Sequence, residues 1–105
     1  MRERDIERYL VKRVKELGGE VRKVEWPGRK SAPDRLVMLP WNQQKFIDGA
    51  WSGTVWVELK APGLAATFPS NAHERAQHRE HERMRKCGQT VLVIDNTAHI
   101  DEVLR

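Results

Sequence analysis

The sequence predicts an α/β fold in which a mixed central sheet is flanked by helices on both faces, with elements in the order α-β-β-β-α-β-α. Three observations carry this. Arg4 to Leu17 places apolar residues at Ile6, Leu10, Val14 and Leu17, the three- and four-residue spacing of an amphipathic helix. Thr54-Val-Trp-Val-Glu-Leu-Lys60 is β-branched and aromatic and ends at Ala61-Pro62-Gly63, as a strand does. Thr90 to Asp95 is almost uniformly apolar, the pattern of a strand covered on both faces, which requires helices on both sides of the sheet.

The elements follow in order. Gly18-Gly19 ends the first helix, and Glu20 to Trp26, with Val21 and Val24 among charged residues, reads as a strand. Pro27-Gly28-Arg29-Lys30-Ser31-Ala32-Pro33 is a loop, because two prolines and a glycine oppose both helix and ladder pairing. Asp34 to Leu39 is apolar enough for a buried strand, stopped by Pro40. Trp41 to Gly53 carries the weakest pattern and reads as a loop or hairpin tip, and Leu64 to Pro69 as a mobile connection. Ser70 to Lys86 is charged and free of breakers, so it predicts a long helix with Ser70 or Asn71 as N-cap, stopped by Gly88. His99 to Leu104 completes the order as a short helix.

Length and composition narrow the function. The 105 residues suit one compact domain over 1–105, with 39% hydrophobic and 32% charged residues, a balance of globular and not disordered chains. No apolar run approaches the roughly 20 residues of a membrane helix. The charged opening Met1-Arg-Glu-Arg-Asp5 lacks the apolar stretch of a secretory signal, so a cytoplasmic protein is expected. Cys87, alone in the sequence, has no disulfide partner and argues against zinc-finger chemistry, and is read as a helix-packing residue. Nineteen Lys and Arg against fifteen Asp and Glu give a net charge of +4, which favours an anionic partner such as nucleic acid.

Chemistry concentrates in Val57-Glu58-Leu59-Lys60. Residues two apart on a strand leave the same face, so Glu58 and Lys60 stand side by side while Val57 and Leu59 point the other way. A hard cation such as Mg²⁺ takes carboxylate and carbonyl oxygens plus water, which Glu58 and the Leu59 carbonyl can supply. Lys60 then stands where it orients or deprotonates a water, or neutralises phosphate charge. One carboxylate rarely holds Mg²⁺ alone. Asp34, following Pro33 at the mouth of an apolar strand, is the natural second acid, although by itself it reads better as a turn cap.

Ser31-Ala32-Pro33-Asp34-Arg35-Leu36-Val37 followed by Val57-Glu58-Leu59-Lys60-Ala61-Pro62-Gly63 resembles the Pro-Asp and Glu-x-Lys motifs of the PD-(D/E)xK nuclease superfamily, and within it the VRR-NUC (virus-type replication-repair nuclease) domain. The similarity extends through Arg2-Glu3, Ile6 to Leu10, Leu17-Gly18-Gly19, Pro27-Gly28-Arg29, Gln77, His81-Glu82-Arg83 and Val93-Ile94-Asp95. Two departures stand out. Ser31-Ala32 precedes Pro33 where the family commonly carries a glycine, and extra length between Pro40 and Thr54 reads as an insertion away from the chemistry.

The resemblance implies a restriction-endonuclease-like fold and an endonuclease that hydrolyses DNA phosphodiester bonds with Mg²⁺ or Mn²⁺. It further implies selectivity for branched DNA such as Holliday junctions, a homodimer to cut two strands, and a phage or bacterial origin. A helical glutamate is expected to join Asp34 and Glu58. At about 100° per residue, Glu3 and Glu7 share the sheet-facing stripe of Leu10, Val14 and Leu17, and the family's opening pattern favours Glu3. Gln77 lies on one helical stripe with His73, Glu80, Met84 and Cys87 and resembles the family's glutamine near the reacting phosphate. His73, His78 and His81 lack i, i+4 metal spacing and are read as a solvated or phosphate-contacting face. Arg29, Lys30 and Arg35, with the i, i+4 row Arg75, Arg79 and Arg83, are the candidate DNA contacts. Rival readings are a catalytically silent DNA-binding module of the same fold and a small scaffold protein with an incidental acidic cluster.

Overall fold

A computed structural model describes residues 1–105 and has the expected architecture. Helix α1 (Glu3–Glu16) buries Ile6, Leu10 and Val14 completely or nearly so, each worth about 1.5–3 kcal/mol of removed apolar surface. It ends in a Schellman turn, with Gly18 N–H on Lys15 O and Gly19 N–H on Val14 O, both at 2.9 Å. Gly18 has φ of 87°, and a Cβ on Gly19 would sit 2.5 Å from the Met38 carbonyl oxygen. The two glycines therefore end the helix and bring the chain close to the sheet.

Strands β1 (Glu20–Lys23), β2 (Arg35–Met38), β5 (Thr54–Leu59) and β6 (Thr90–Ile94) form one sheet in the order β1-β2-β5-β6, counting a hairpin of β3 (Lys45–Ile47) and β4 (Ala50–Ser52) between β2 and β5. The β1–β2 and β2–β5 pairs are antiparallel, and β5–β6 is parallel. The parallel pair needs a crossover, which is helix α2 (Ala72–Lys86). Helix α3 (Thr97–Val103) returns to α1, where Tyr9 Oη donates to Asp101 at 2.6 Å and Arg13 pairs with the same carboxylate.

Alternation along β5 divides its residues. Val55, Val57 and Leu59 enter the core beside Leu10, Val37, Ile94 and Ile100, under α1 and α3. Trp56, Glu58 and Lys60 take the opposite face, where their partners lie on α2 and the turn after it.

Several local expectations change. The first strand stops at Lys23 instead of Trp26, although Val24 N–H still reaches Asp34 O at 2.9 Å, and the indole of Trp26 turns to donate to Pro33 O at 2.9 Å. Trp41 to Gly53 folds into a 3₁₀ turn and the β3–β4 hairpin, closed by Asp48-Gly49, both at positive φ (50° and 85°) as a two-residue hairpin turn requires. Of the two candidate caps for α2, Asn71 serves, its Oδ1 accepting from Glu74 N–H at 2.8 Å. Cys87 is exposed and not packed, because the buried residues of α2 end at Met84. Leu64–Pro69 is pinned, by Ala65 N–H on Asp95 Oδ2 at 3.0 Å and by Phe68 stacked on His81. Asn96 caps α3 and starts it at Thr97, two residues before His99. No helix is long and apolar enough to cross a membrane.

Candidate active site

The β2–β5 ladder sets the two motif acids against each other. Its register pairs Arg35 with Val57, so one further step puts Asp34 opposite Glu58, on the face that Lys60 shares. Leu39 donates its N–H to Gly53 O at 2.7 Å, so the bonded pairs of this ladder fall at odd-numbered residues of β2. Continued past Arg35, the next bonded pair would be Pro33 with Leu59. Proline has no N–H to give, which leaves the Leu59 carbonyl free of a ladder donor. Pro33, itself fully buried, thus shapes the site as well as the loop.

These residues line a cleft of ≈ 270 Å³ with Glu3, Arg35, His73 and Gln77. Because the Leu59 side chain belongs to the core, Leu59 meets the cleft through its backbone. Glu58 is buried, and its Oε1 lies 3.1 Å from Nε2 of the fully buried His81. One carboxylate oxygen is thereby fixed and the other left free. His81 Nδ1 is buried with no hydrogen-bond partner.

Lys60 is held by three groups. Its ammonium donates to Gln77 Oε1 at 2.7 Å, pairs with Glu74 Oε2 at 3.2 Å, and lies 5.2 Å from the centre of the Phe68 ring. Glu74 is only 7% exposed and accepts from both the hydroxyl and the backbone N–H of Ser70, at 2.7 and 2.8 Å. Those donors, with Lys60, hold its carboxyl below the usual value for a glutamate.

The helical acids separate. Glu3 is exposed and lines the cleft with Asp34, Glu58 and Lys60, in the first turn of α1 ahead of the buried stripe that starts at Ile6. Glu7 is half-buried and ion-paired to Arg35. Arg35 Nη1 also lies 3.0 Å from Asp34 Oδ1, outside hydrogen-bond geometry, so Arg35 joins α1 to the motif aspartate.

A divalent cation can be tested against this donor set. No three His, Cys, Asp or Glu side chains gather as a protein-only metal cage requires. Two carboxylates, a carbonyl and waters are instead what Mg²⁺ accepts, because it gives up its hydration reluctantly. The residues fit a water-rich hard-cation site and not a four-ligand zinc site.

Among the candidate DNA contacts, Arg29, Lys30, Arg79 and Arg83 come together around a groove where the loop after β1 faces α2. Arg75 is exposed outside it. Arg83 is bonded to Glu80 at 2.6 Å, and Arg29 lies 3.5 Å from the same carboxylate.

Sequence reasoning missed Glu74, His81 and Phe68. Glu74 reads as one of several acids alternating with arginines on α2, and His81 as part of a solvated face. The available signal was their spacing: Gln77, Glu74 and His81 stand at i, i−3 and i+4 on the side of α2 that meets β5.

No family model matches the chain. In sequence it is 40% identical over 96 residues to "Putative nuclease p44" of Acyrthosiphon pisum secondary endosymbiont phage 1, covering 91% of this chain and 85% of that protein. In structure it is similar to a protein described as a VRR_NUC domain, with a TM-score of 0.68 and 32% identity over 95% of this chain and 90% of that one.

Proposed function

The chain belongs to the VRR-NUC family and is a nuclease of that type, and from that premise we propose that it is a Mg²⁺- or Mn²⁺-dependent endodeoxyribonuclease centred on Asp34, Glu58 and Lys60. The observation that carries this reading is the cleft that gathers Asp34, Glu58, Leu59 and Lys60, and the β2–β5 register, extended by one step, supports it by setting Asp34 opposite Glu58. Asp34, Glu58 and Leu59 O are the proposed ligands. When bound there, the cation supplies positive charge to the phosphate and acidifies a water.

The remaining roles fall to the chain itself. His81 fixes one Glu58 oxygen and turns the other into the cleft. Lys60 acts as a fixed cation and not as a base: Glu74 and Gln77 take two of the three ammonium donors and leave the third for a phosphate oxygen or a water. Gln77 positions Lys60 from the wall of the same cleft. Glu3 is the helical acid of the site, because Glu7 is already paired with Arg35. Arg35 in turn braces Asp34. Arg29, Lys30, Arg79 and Arg83, with Arg75 beyond them, follow the DNA backbone.

Residues 1–105 act as one nuclease domain of a cytoplasmic protein in a bacterial or phage-infected cell. Two copies related by a twofold axis cut branched DNA, such as a Holliday junction, on two strands. The test is cleavage of duplex, flap, splayed and four-way DNA with and without Mn²⁺, using the parent and Asp34→Asn. Asp34→Asn is expected to abolish cutting and weaken Mn²⁺ binding in calorimetry while DNA affinity stays equal or rises. Unchanged Mn²⁺ affinity removes Asp34 as a ligand, and a parent that binds every DNA and cuts none is a silent binding module.

A further inference from the structure

A second recess lies further along α2 and β5. Along α2, the stripe of His73 and Gln77 continues through Glu80, Met84 and Cys87, and along β5 the face of Glu58 and Lys60 continues back to Trp56. These continuations line the recess, of ≈ 320 Å³, closed by Trp26, Arg29 and Arg83. Cleft and recess are thus neighbours along α2 and β5, each lined by residues of both elements. Trp56 precedes Glu58 by two strand residues, about 6.6 Å, or roughly two nucleotide steps of a stacked strand at about 3.4 Å each.

We propose that this recess receives one unpaired DNA base, close to the bond that is cut, stacked on the indole of Trp56. The proposal rests on the nuclease reading above and adds to it a base-binding subsite. Both indoles that line the recess are locked and have no donor to spare. Trp56 Nε1–H bonds Gln89 Oε1 at 3.0 Å, Trp26 Nε1–H bonds Pro33 O at 2.9 Å, and the rings brace each other at 5.1 Å and 49°. What Trp56, which is only half-buried, still offers is ring surface. Stacking needs nothing more, and it accepts any base because every base has a π-face.

The rim selects the ligand. Arg29 and Arg83 share the single carboxylate of Glu80, so two cations against one anion leave one positive charge in excess. An apolar helix docked here would have to desolvate two guanidinium groups with only one carboxylate between them. A nucleotide brings a flat apolar ring for Trp56 and a phosphate for the arginines. The volume lies at the small end of the range for ligand pockets, about 300–1,000 Å³, which suits a single base and excludes a duplex.

The test scans an abasic residue through every position of a labelled branched DNA and measures affinity in EDTA, so that no cutting intervenes. For the parent, one position is expected to lose about tenfold in affinity when its base is removed, with little change elsewhere. Trp56→Leu is expected to bind intact DNA about tenfold more weakly and to lose the penalty at that position. Trp56→Phe, which keeps an aromatic face, retains most of both, and thermal melts confirm that each variant is folded. A flat scan for the parent, or a penalty that persists in Trp56→Leu, overturns the subsite. The nuclease reading is separable: a parent that cuts DNA with Mn²⁺ but gives a flat scan keeps its activity and loses the subsite. A parent that shows the Trp56-dependent penalty yet never cuts keeps the subsite and loses the chemistry.

Discussion

On one face of β5, Val55, Val57 and Leu59 pack into a core of thirteen buried apolar residues. On the other, Trp56, Glu58 and Lys60 meet a helix whose buried residues are Glu74, Gln77, Glu80, His81 and Met84. The first face stabilises the fold by removing apolar area from water. The second buries charge, and does so only where each charge has a partner: Glu58 with His81, Lys60 with Glu74 and Gln77. Such pairs contribute little net stability, since desolvation offsets much of their attraction. One strand therefore carries stability on one side and the proposed chemistry on the other, and the two should respond separately to mutation.

The largest separable effect is expected on the core face. Ile94, 1% exposed on β6, lies on the core side next to Leu59 in the parallel register. Ile94→Ala should cost about 2–5 kcal/mol of stability, read as a lower denaturant midpoint, with cleavage per folded molecule unchanged at low temperature. A variant that keeps its stability but loses its rate would show that the two faces are coupled.

Lys60→Met is the complementary change. It keeps the aliphatic stem beside Phe68 and removes the charge. Glu74 retains both Ser70 donors, so folding should survive and Mn²⁺ binding should stay near the parent's. The single-turnover cleavage rate is expected to fall roughly a hundredfold or more. Parental rates would make Lys60 a structural ion-pair member only.

How far this division was visible in the sequence follows from periodicity. The period of two in Thr54–Lys60 separated the two faces of β5 without any tertiary information, and Ile6, Leu10 and Val14 marked the core side of α1 in the same way. The Pro33-Asp34 and Glu58-x-Lys60 motifs named the residues that the β2–β5 ladder brings together. Partners were not visible. A buried glutamate and a buried histidine on a helix rich in charge look like any solvated pair until the opposite strand is in place, so Glu74 and His81 passed for surface residues. Trp41 to Gly53 read only as a loop or hairpin tip, and its paired strands stayed hidden because they are three residues each, too short for a period to emerge. Its one local signal was Asp48-Gly49, the hairpin turn.

Glu74 offers a finer cut through the polar face, with an expected rate loss of about tenfold for Glu74→Gln, the lower end for losing an orienting partner. It also has a pH signature. Ser70 and then Lys60 hold the Glu74 carboxyl below its reference value of 4.5. A group whose folded pKa is depressed adds stability that is present above the unfolded value and disappears as pH falls through the folded one. The parent should therefore be more stable than Glu74→Gln at pH 6, and the gap between their melting temperatures should narrow as pH drops below about 4.5. A gap that stays constant down to pH 3 would show that the charge of Glu74 does not stabilise the site.

The smallest expected effect lies on the exposed row Arg75, Arg79 and Arg83. Each phosphate contact that releases a counterion adds about 0.9 to the slope of log affinity against log salt. Three equivalent contacts would together give about 2.7 on that basis. The arginines are not equivalent, however. Arg83 is already bonded twice to Glu80, at 2.6 and 3.0 Å, and Glu80 is itself one of the buried residues of α2, so part of the Arg83 charge is neutralised before DNA arrives. Arg75 and Arg79 are exposed and carry no ion pair that competes in this way. Changing all three to Gln should thus lower the slope by nearer two units than three, with Arg83→Gln alone giving the least, while the single-turnover rate at saturating DNA stays near the parent's. Equal slope losses for the three single variants would mean that Arg83 leaves Glu80 when DNA binds, and an unchanged slope for the triple variant would make the row an ordinary solvated helix face.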